Sequence, residues 1–112
     1  MRILLARHGE ALRGKGDKAQ SDFGLTQLGR EQAQHLGRLL SRQQRRIDRF
    51  LCSPLLRAKE TAEIIASSAA VPAVCTVEAL CEMGESRHYE TETLSTFLRR
   101  AKDLMVDLMR QI

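Results

Sequence analysis

Aromatic residues are scarce in this sequence: they make up 4% of the 112 residues, and tryptophan is absent. A groove for single-stranded nucleic acid usually stacks the bases on aromatic side chains, so this scarcity disfavours such a groove. No apolar run approaches the roughly 20 residues of a membrane-spanning helix, and no signal segment of adequate length opens the chain. We therefore expect a cytoplasmic protein with no membrane partner.

Cysteine occurs only at Cys52, Cys75 and Cys81, and none of these residues forms a CxxC pair. The count is odd and two of the three lie in apolar, strand-like runs, so reduced packing residues are expected rather than a disulfide framework. No cluster of Cys and His has the spacing of zinc ligands. We predict neither a metal nor an organic cofactor.

Length and charge limit the number of domains and the class of ligand. A chain of 112 residues with 43% hydrophobic and 29% charged residues is typical of one soluble domain, here residues 1–112. That length is near the small end for an α/β fold. The net charge of +4 is mild and suits anionic small substrates at least as well as nucleic acid.

Short apolar runs alternate with segments of helical periodicity, and this order predicts an α/β fold with a parallel sheet and right-handed crossovers. Thr26 is the expected cap of the first helix, and Ser53-Pro54 are the expected cap and first residue of the second. The polar, glycine-containing segment 11–24 is a loop that either folds over the site or has no role. Predicted strands cover residues 3–6, 50–52 and 73–77, and predicted helices cover about 26–44, 54–68 and 92–112.

Four arginines cluster after the first predicted helix, at Arg42, Arg45, Arg46 and Arg49. Basic residues near the C-terminal end of a helix complement its dipole. We favour a solvated helix end over a nucleic-acid patch. The patch would predict steeply salt-dependent binding of DNA or RNA.

The first predicted strand ends at Arg7-His8-Gly9, where open α/β sheets bind ligands. Other known types of nucleophilic or phosphate-binding motif do not fit this sequence. A cysteine phosphate loop needs Arg six positions after Cys, whereas Arg57 follows Cys52 by five and Pro54 lacks a needed N–H. The GxSxG elbow and the GxxxxGK[ST] phosphate loop are absent.

His8 remains as a nucleophile, with Arg7 and Arg57 as clamps for the phosphoryl oxygens. Arg57 follows a strand end and begins a helix, which favours an anion site, although a surface arginine fits the same pattern equally well. Glu82 is the candidate proton donor to the leaving group. An ordinary loop carboxylate is at least as good a description of it, and Glu85 and Glu10 are weaker alternatives.

Four motifs occur in register over residues 3–84. They are Leu5-Ala6-Arg7-His8-Gly9-Glu10, Leu25-Thr26-x-x-Gly29, Cys52-Ser53-Pro54-Leu55-x-Arg57-Ala58-x-x-Thr61-Ala62 and Leu80-x-Glu82. Together they resemble the histidine phosphatase superfamily, the phosphoglycerate mutase-like proteins. The short loop and the Arg-His-Gly-Glu-Ala opening are most similar to the small bacterial protein-phosphohistidine phosphatases of SixA type.

The resemblance implies a three-layer α/β/α fold with a mainly parallel sheet. It implies that His8 is the phosphorylated nucleophile, that Arg7 and Arg57 bind the phosphate, and that Glu82 is the proton donor found in some branches of the family. The implied partner is a phosphorylated small molecule or a phosphohistidine protein.

The sequence also departs from the family pattern. In the family, a later strand ends in a second active-site histidine, and this sequence ends at Ile112 without such a segment. His88 does not match that motif. The resemblance places the missing strand between the first two, so we expect a gap in the sheet, caused by truncation or filled by pairing with a second copy.

Two functional hypotheses follow. The first is a phosphatase that acts through a phosphohistidine at His8; a mutase is disfavoured because the chain is short for the insertions that recognise phosphoglycerate. The second is a catalytically impaired module that binds phosphate or phosphoproteins, and the missing histidine motivates it. His8→Ala distinguishes them, because it abolishes turnover by an enzyme but leaves phosphate affinity in a binding module.

Overall fold

Helices and short strands alternate along the chain. The computed structural model describes residues 2–12, 23–81 and 93–110. Within them the elements, in chain order, are helix α1 (Gln27–Ser41), strand β1 (Phe50–Cys52), helix α2 (Leu56–Ser68), strand β2 (Val74–Thr76), a 3₁₀ turn (Glu78–Leu80) and helix α3 (Leu94–Arg110).

Helix α1 begins where its sequence predicts. The Oγ1 atom of Thr26 accepts a hydrogen bond from the Gly29 amide at 3.0 Å, which satisfies one of the free N–H groups of the first turn. The helix ends at Ser41, three residues before the predicted Gln44. The amides of Arg42 and Gln43 bond to carbonyls three residues back, and this tighter turn closes the helix.

The predicted start of helix α2 is wrong by two residues. Ser53 does not cap the helix and Pro54 is not its first residue, because the helix begins at Leu56 with Leu55 in the cap position. Instead, Ser53 Oγ accepts a hydrogen bond from the Leu55 amide at 3.2 Å. A hydroxyl that bonds two residues ahead forms a turn, so the Ser-Pro pair shapes the entry to the helix.

Strands β1 and β2 pair in parallel, with Leu51 opposite Cys75. The Val77 amide continues the pairing with a 2.8 Å hydrogen bond to the Cys52 carbonyl. These strands match the predicted second and third runs, and their parallel direction is confirmed.

The predicted buried strand at residues 3–6 is wrong. No strand is formed there, and Ile3, Leu4 and Leu5 are 38%, 51% and 85% exposed. A strand is held by ladder hydrogen bonds to a neighbour, and none of the described strands pairs with this segment.

Helices α1 and α2 pack closely against each other. A methyl group on Gly37 would lie 3.1 Å from Ser68 Cβ, so glycine allows the two helices to approach at this point. An ion pair between Arg30 Nη1 and Glu60 Oε2, 2.8 Å apart, joins their outer surfaces. The buried apolar residues around this contact include Ala33, Ala62 and Ile65.

Helix α3 contacts the 3₁₀ turn. Arg100 donates a hydrogen bond to the Ala79 carbonyl at 2.5 Å, which fixes the helix to the end of the β2 segment. Its large apolar side chains Leu94, Leu98 and Met109 are more than half exposed. None of the helices in the described part of the chain is both long enough and apolar enough to cross a lipid bilayer.

Candidate active site

The His8 imidazole is oriented by the backbone beside it. Its Nδ1 lies 2.7 Å from the carbonyl oxygen of Gly9. A carbonyl oxygen only accepts hydrogen bonds, so Nδ1 carries the proton when the ring is neutral. The lone pair is then on Nε2, which is the nitrogen able to act as a nucleophile.

Gly9 is buried because two helices meet its backbone. Its amide donates a hydrogen bond to Oγ1 of Thr61 at 3.1 Å. A methyl group on Gly9 would overlap the Gly29 carbonyl oxygen and lie 2.9 Å from Gly29 Cα. A methyl group on Gly29 would in turn lie 2.8 Å from the Glu10 amide nitrogen. Both glycines are therefore required by close backbone contact.

Glu10 is tied to helix α1 and its cap by four hydrogen bonds, one of which runs from the Thr26 hydroxyl to the Glu10 carbonyl at 3.2 Å. Its amide donates to Oε1 of Gln32 at 2.8 Å, and its carbonyl accepts from the Thr26 amide at 2.9 Å. The Thr26 hydroxyl donates to the Glu10 carboxylate at 2.9 Å. These contacts explain why Thr26 and Gly29 occur together: one caps the helix and binds Glu10, and the other leaves room for its backbone.

Arg7 and His8 line a common cleft of about 300 Å³. Helix α1 contributes Gln32 and Leu36 to its wall, and helix α2 contributes Thr61. The structure thus brings together two of the four residues singled out in the sequence. A positive charge and an oriented imidazole in one cleft suit a phosphoryl group.

Arg57 is the second residue of helix α2 and is only 8% exposed. It is not among the residues that line the cleft. Its backbone is linked to the cleft all the same, because the Thr61 hydroxyl donates to the Arg57 carbonyl at 2.7 Å. Since a buried guanidinium requires charged or polar partners, Arg57 is held in a defined environment.

Glu82 lies outside the described residues, as do Glu85 and His88. The proton-donor role of Glu82 therefore stays a prediction. Cys81, directly before it, is buried, and its Sγ lies 3.7 Å from Ser53 Oγ at the entry to helix α2. Burial raises the pKa of the Cys81 thiol, and the Ser53 hydrogen bond and the positive charges of Arg100 and Arg57 oppose that rise in part.

The three cysteines are free: Cys52 and Cys81 are buried, as the prediction of packing residues requires, whereas Cys75 is exposed. Metal-binding groups of three or more His, Cys, Asp or Glu residues do not occur within residues 2–12, 23–81 and 93–110.

Sequence reasoning missed Thr61 and Gln32. Thr61 stands in the quoted third motif, four residues after Arg57, so the signal was present without an assigned role. Gln32 gave no signal, since a glutamine on a helix is ordinary until its carbonyl is seen to bind the Glu10 amide.

Comparison with known sequences gives a family match over residues 3–111, to the histidine phosphatase superfamily (branch 1). A serine/threonine-protein phosphatase Pgam5, mitochondrial, from Drosophila ananassae is 45% identical over 65 residues, which is 56% of this chain and 21% of that protein. The Pgam5 of Drosophila persimilis is 43% identical over 63 residues, with the same shares covered. The chain thus matches about a fifth of the length of these curated relatives.

Solved structures of phosphatases resemble this chain in fold. The protein histidine phosphatase SixA complexed with tungstate has a TM-score of 0.56 at 31% identity, covering 65% of this chain and 46% of that one. A putative alpha-ribazole-5'-P phosphatase from Escherichia coli has a TM-score of 0.69 at 24% identity, covering 92% and 64%. A mycobacterial glucosyl-3-phosphoglycerate phosphatase has a TM-score of 0.56 at 25% identity, covering 89% and 45%. The predicted α/β fold of the phosphoglycerate mutase-like type is confirmed.

Proposed function

The chain belongs to the histidine phosphatase superfamily, branch 1, and from that premise we propose that it dephosphorylates proteins through a phosphohistidine formed on His8. One observation carries the proposal. The Gly9 carbonyl accepts from His8 Nδ1 at 2.7 Å, so the nucleophilic lone pair is on Nε2, in a cleft that Arg7 also lines.

The chemistry has two steps. In the first, Nε2 of His8 attacks phosphorus, the bond from phosphorus to the leaving group breaks, and the leaving group takes a proton from an acid, which we propose is Glu82. Arg7 and Arg57 offset the charge that spreads over the equatorial phosphoryl oxygens. The bond from His8 Nδ1–H to the Gly9 carbonyl stabilises the imidazolium that carries the phosphoryl group.

In the second step a water attacks phosphorus and the P–N bond breaks. The carboxylate that donated a proton in the first step takes one from this water, as microscopic reversibility requires. Inorganic phosphate leaves, and the imidazole returns to its neutral form with the proton on Nδ1.

The relatives with at least 30% identity support a protein substrate. One is described as a protein histidine phosphatase and the others as serine/threonine-protein phosphatases. We propose phosphohistidine as the preferred phosphoresidue, in line with the SixA resemblance over 65% of the chain. The two neighbours that act on small phosphorylated molecules share 24% and 25% identity with this chain.

A second function has its own observation. Residues 3–6, directly before Arg7 and His8, pair with none of the described strands, and Leu5 is 85% exposed. Catalysis requires reacting groups to be held within about 0.5 Å of their productive positions. A module that binds phosphate without hydrolysing a substrate does not require residues 3–6 to be held so firmly.

Hydrolysis assays distinguish these functions. The substrates are a phosphohistidine peptide, a phosphoserine peptide and an aryl phosphate. His8→Ala is compared with His35→Ala, which alters an exposed histidine on helix α1. We expect turnover that His8→Ala abolishes and His35→Ala leaves intact, with an acid-labile phosphoenzyme trapped by rapid quenching.

Two results would count against the proposal. Binding of phosphate by a folded chain with no turnover of any substrate would support the binding module. Turnover that survives His8→Ala would show that another residue is the nucleophile. A preference for the phosphoserine peptide would keep the enzyme and change its substrate.

A further inference from the structure

A second cleft, of about 270 Å³, lies beyond the C-terminal end of helix α1. Leu40, Ile47 and Val71 supply apolar surface, and the cationic side chains of Arg45 and Arg46 also line it. Among the described residues that line this cleft, none is acidic or aromatic. It offers an anionic ligand two guanidinium groups beside an apolar wall.

The positive charge of Arg45 and Arg46 is weakly neutralised. Both residues are exposed, and Asp48 is the one acidic residue between positions 41 and 50. Asp48 pairs with Arg46 at 3.1 Å, but both side chains are more than three-quarters exposed. Exposed pairs of this kind contribute about 1 kcal/mol or less, so an incoming carboxylate can displace Asp48.

Helix capping does not account for these arginines. The dipole effect is confined to the last turn of a helix, and helix α1 ends at Ser41. Arg38 lies in that last turn, whereas Arg45 and Arg46 lie beyond the turn that closes the helix. The helix dipole therefore does not explain the positions of Arg45 and Arg46.

The two clefts follow each other along helix α1. Gln32 and Leu36 line the His8 cleft, and Leu40, one helical turn further on, lines the second. From Gln32 to Ser41 the helix rises about 13 Å, which an extended peptide spans with about four residues.

We propose that the cleft at Arg45 and Arg46 binds an acidic segment of the phosphoprotein substrate while the phosphoryl group occupies the cleft at His8. The inference rests on the proposed function and assigns a substrate class to it: phosphoproteins with acidic residues about four to six positions from the phosphorylated residue. The described part of the lining holds no aromatic ring, which disfavours RNA as the occupant.

The test compares Arg45→Glu/Arg46→Glu with Arg99→Glu/Lys102→Glu, which makes the same charge change at exposed positions of helix α3. Two phosphohistidine peptides are used, one with acidic residues at the stated spacing and one with glutamine in their place. We expect Arg45→Glu/Arg46→Glu to raise KM for the acidic peptide about tenfold, because two exposed attractions become repulsions. The glutamine peptide, the aryl phosphate and the helix α3 control should be unaffected.

Binding is measured separately, by anisotropy of a labelled, unphosphorylated acidic peptide. Loss of binding in Arg45→Glu/Arg46→Glu alone supports the site even if no substrate is turned over, so failure of the proposed function is distinguishable. The proposal is overturned if Arg45→Glu/Arg46→Glu weakens the glutamine peptide as much as the acidic peptide, or if the helix α3 control weakens the acidic peptide equally. Either result would show that the net charge of the protein, and not this cleft, attracts the peptide. Tighter binding of single-stranded RNA than of the acidic peptide would also overturn it.

Discussion

The amide of Gly9 donates a hydrogen bond to the hydroxyl of Thr61, 52 positions away, at 3.1 Å. The same hydroxyl donates to the Arg57 carbonyl at 2.7 Å. Thr61 is therefore the link between the backbone that orients His8 and the first turn of the helix that carries Arg57. Both groups at each bond are buried, so water does not take the place of a partner that is removed.

Removing the Thr61 hydroxyl tests this link. Thr61→Val keeps the shape of the side chain but leaves the buried Gly9 amide without an acceptor, which costs about 1–3 kcal/mol of unfolding free energy. If phosphate is bound by His8 and Arg57 together, a small displacement of one against the other lowers kcat by about a hundredfold.

The matched variant is Thr61→Ser, which keeps the hydroxyl. It should recover most of the activity while losing a buried methyl group. Thr61 would have no positioning role if the valine and serine variants lost activity equally.

Gly29→Ala should destabilise the protein. In an ordinary helix interior this change stabilises by about 1 kcal/mol, because alanine is the better helix former. Here a methyl group would lie 2.8 Å from the Glu10 amide nitrogen, so the helix must move away from the loop that holds His8. We expect a loss of about 1–3 kcal/mol, measured by urea unfolding, with activity lost as well.

Gln34→Ala is the control, since Gln34 is an exposed residue of the same helix. Its unfolding free energy should stay within about 0.5 kcal/mol of the parent. A stabilised Gly29→Ala variant would contradict the close contact between helix α1 and Glu10.

Two buried thiols predict a loss of stability at alkaline pH. Burial raises the pKa of Cys52 and of Cys81 above that of the unfolded chain. The unfolded state therefore loses these protons first, and the stabilisation is present below the unfolded pKa, about 8.5, and is lost as the pH rises through the folded values. Unfolding free energy should decline as the pH rises above that value.

The slope of that decline is the measurement. Cys52→Ala/Cys81→Ala should flatten it, whatever the effect on stability at neutral pH. Cys75→Ala should leave most of the slope, because Cys75 is exposed and burial is the largest cause of the raised pKa of Cys52. The same slope in all three proteins would show that other groups cause the decline.

Local patterns in the sequence predicted the local features of this fold. Helix α1 was predicted from its cap and its periodicity, and both depend on neighbouring residues. The strand at residues 3–6 was predicted from an apolar run, and it failed because a strand also requires a partner elsewhere in the chain. The start of helix α2 was misplaced because a serine followed by proline suits a cap and a turn alike.

The candidate site was likewise predicted where it depends on neighbouring residues and missed where it depends on distant ones. Arg7 and His8 were identified from a contiguous motif, and they do share a cleft. The bonds that hold this loop come from Gln32 and Thr61, which are distant in sequence. Thr61 stood in a quoted motif without an assigned role, and Gln32 gave no indication that it would meet the backbone of Glu10.

The attachments of Gly9 and Glu10 have a consequence for how order is lost. This loop is bonded to helices α1 and α2, and none of the described strands pairs with the segment before it. Local opening occurs in cooperative units, and here the unit joins the loop to the helix pair. The orientation of His8 is therefore as stable as the contact between helices α1 and α2, neither of which carries His8. Fluctuations that separate the two helices disrupt that orientation.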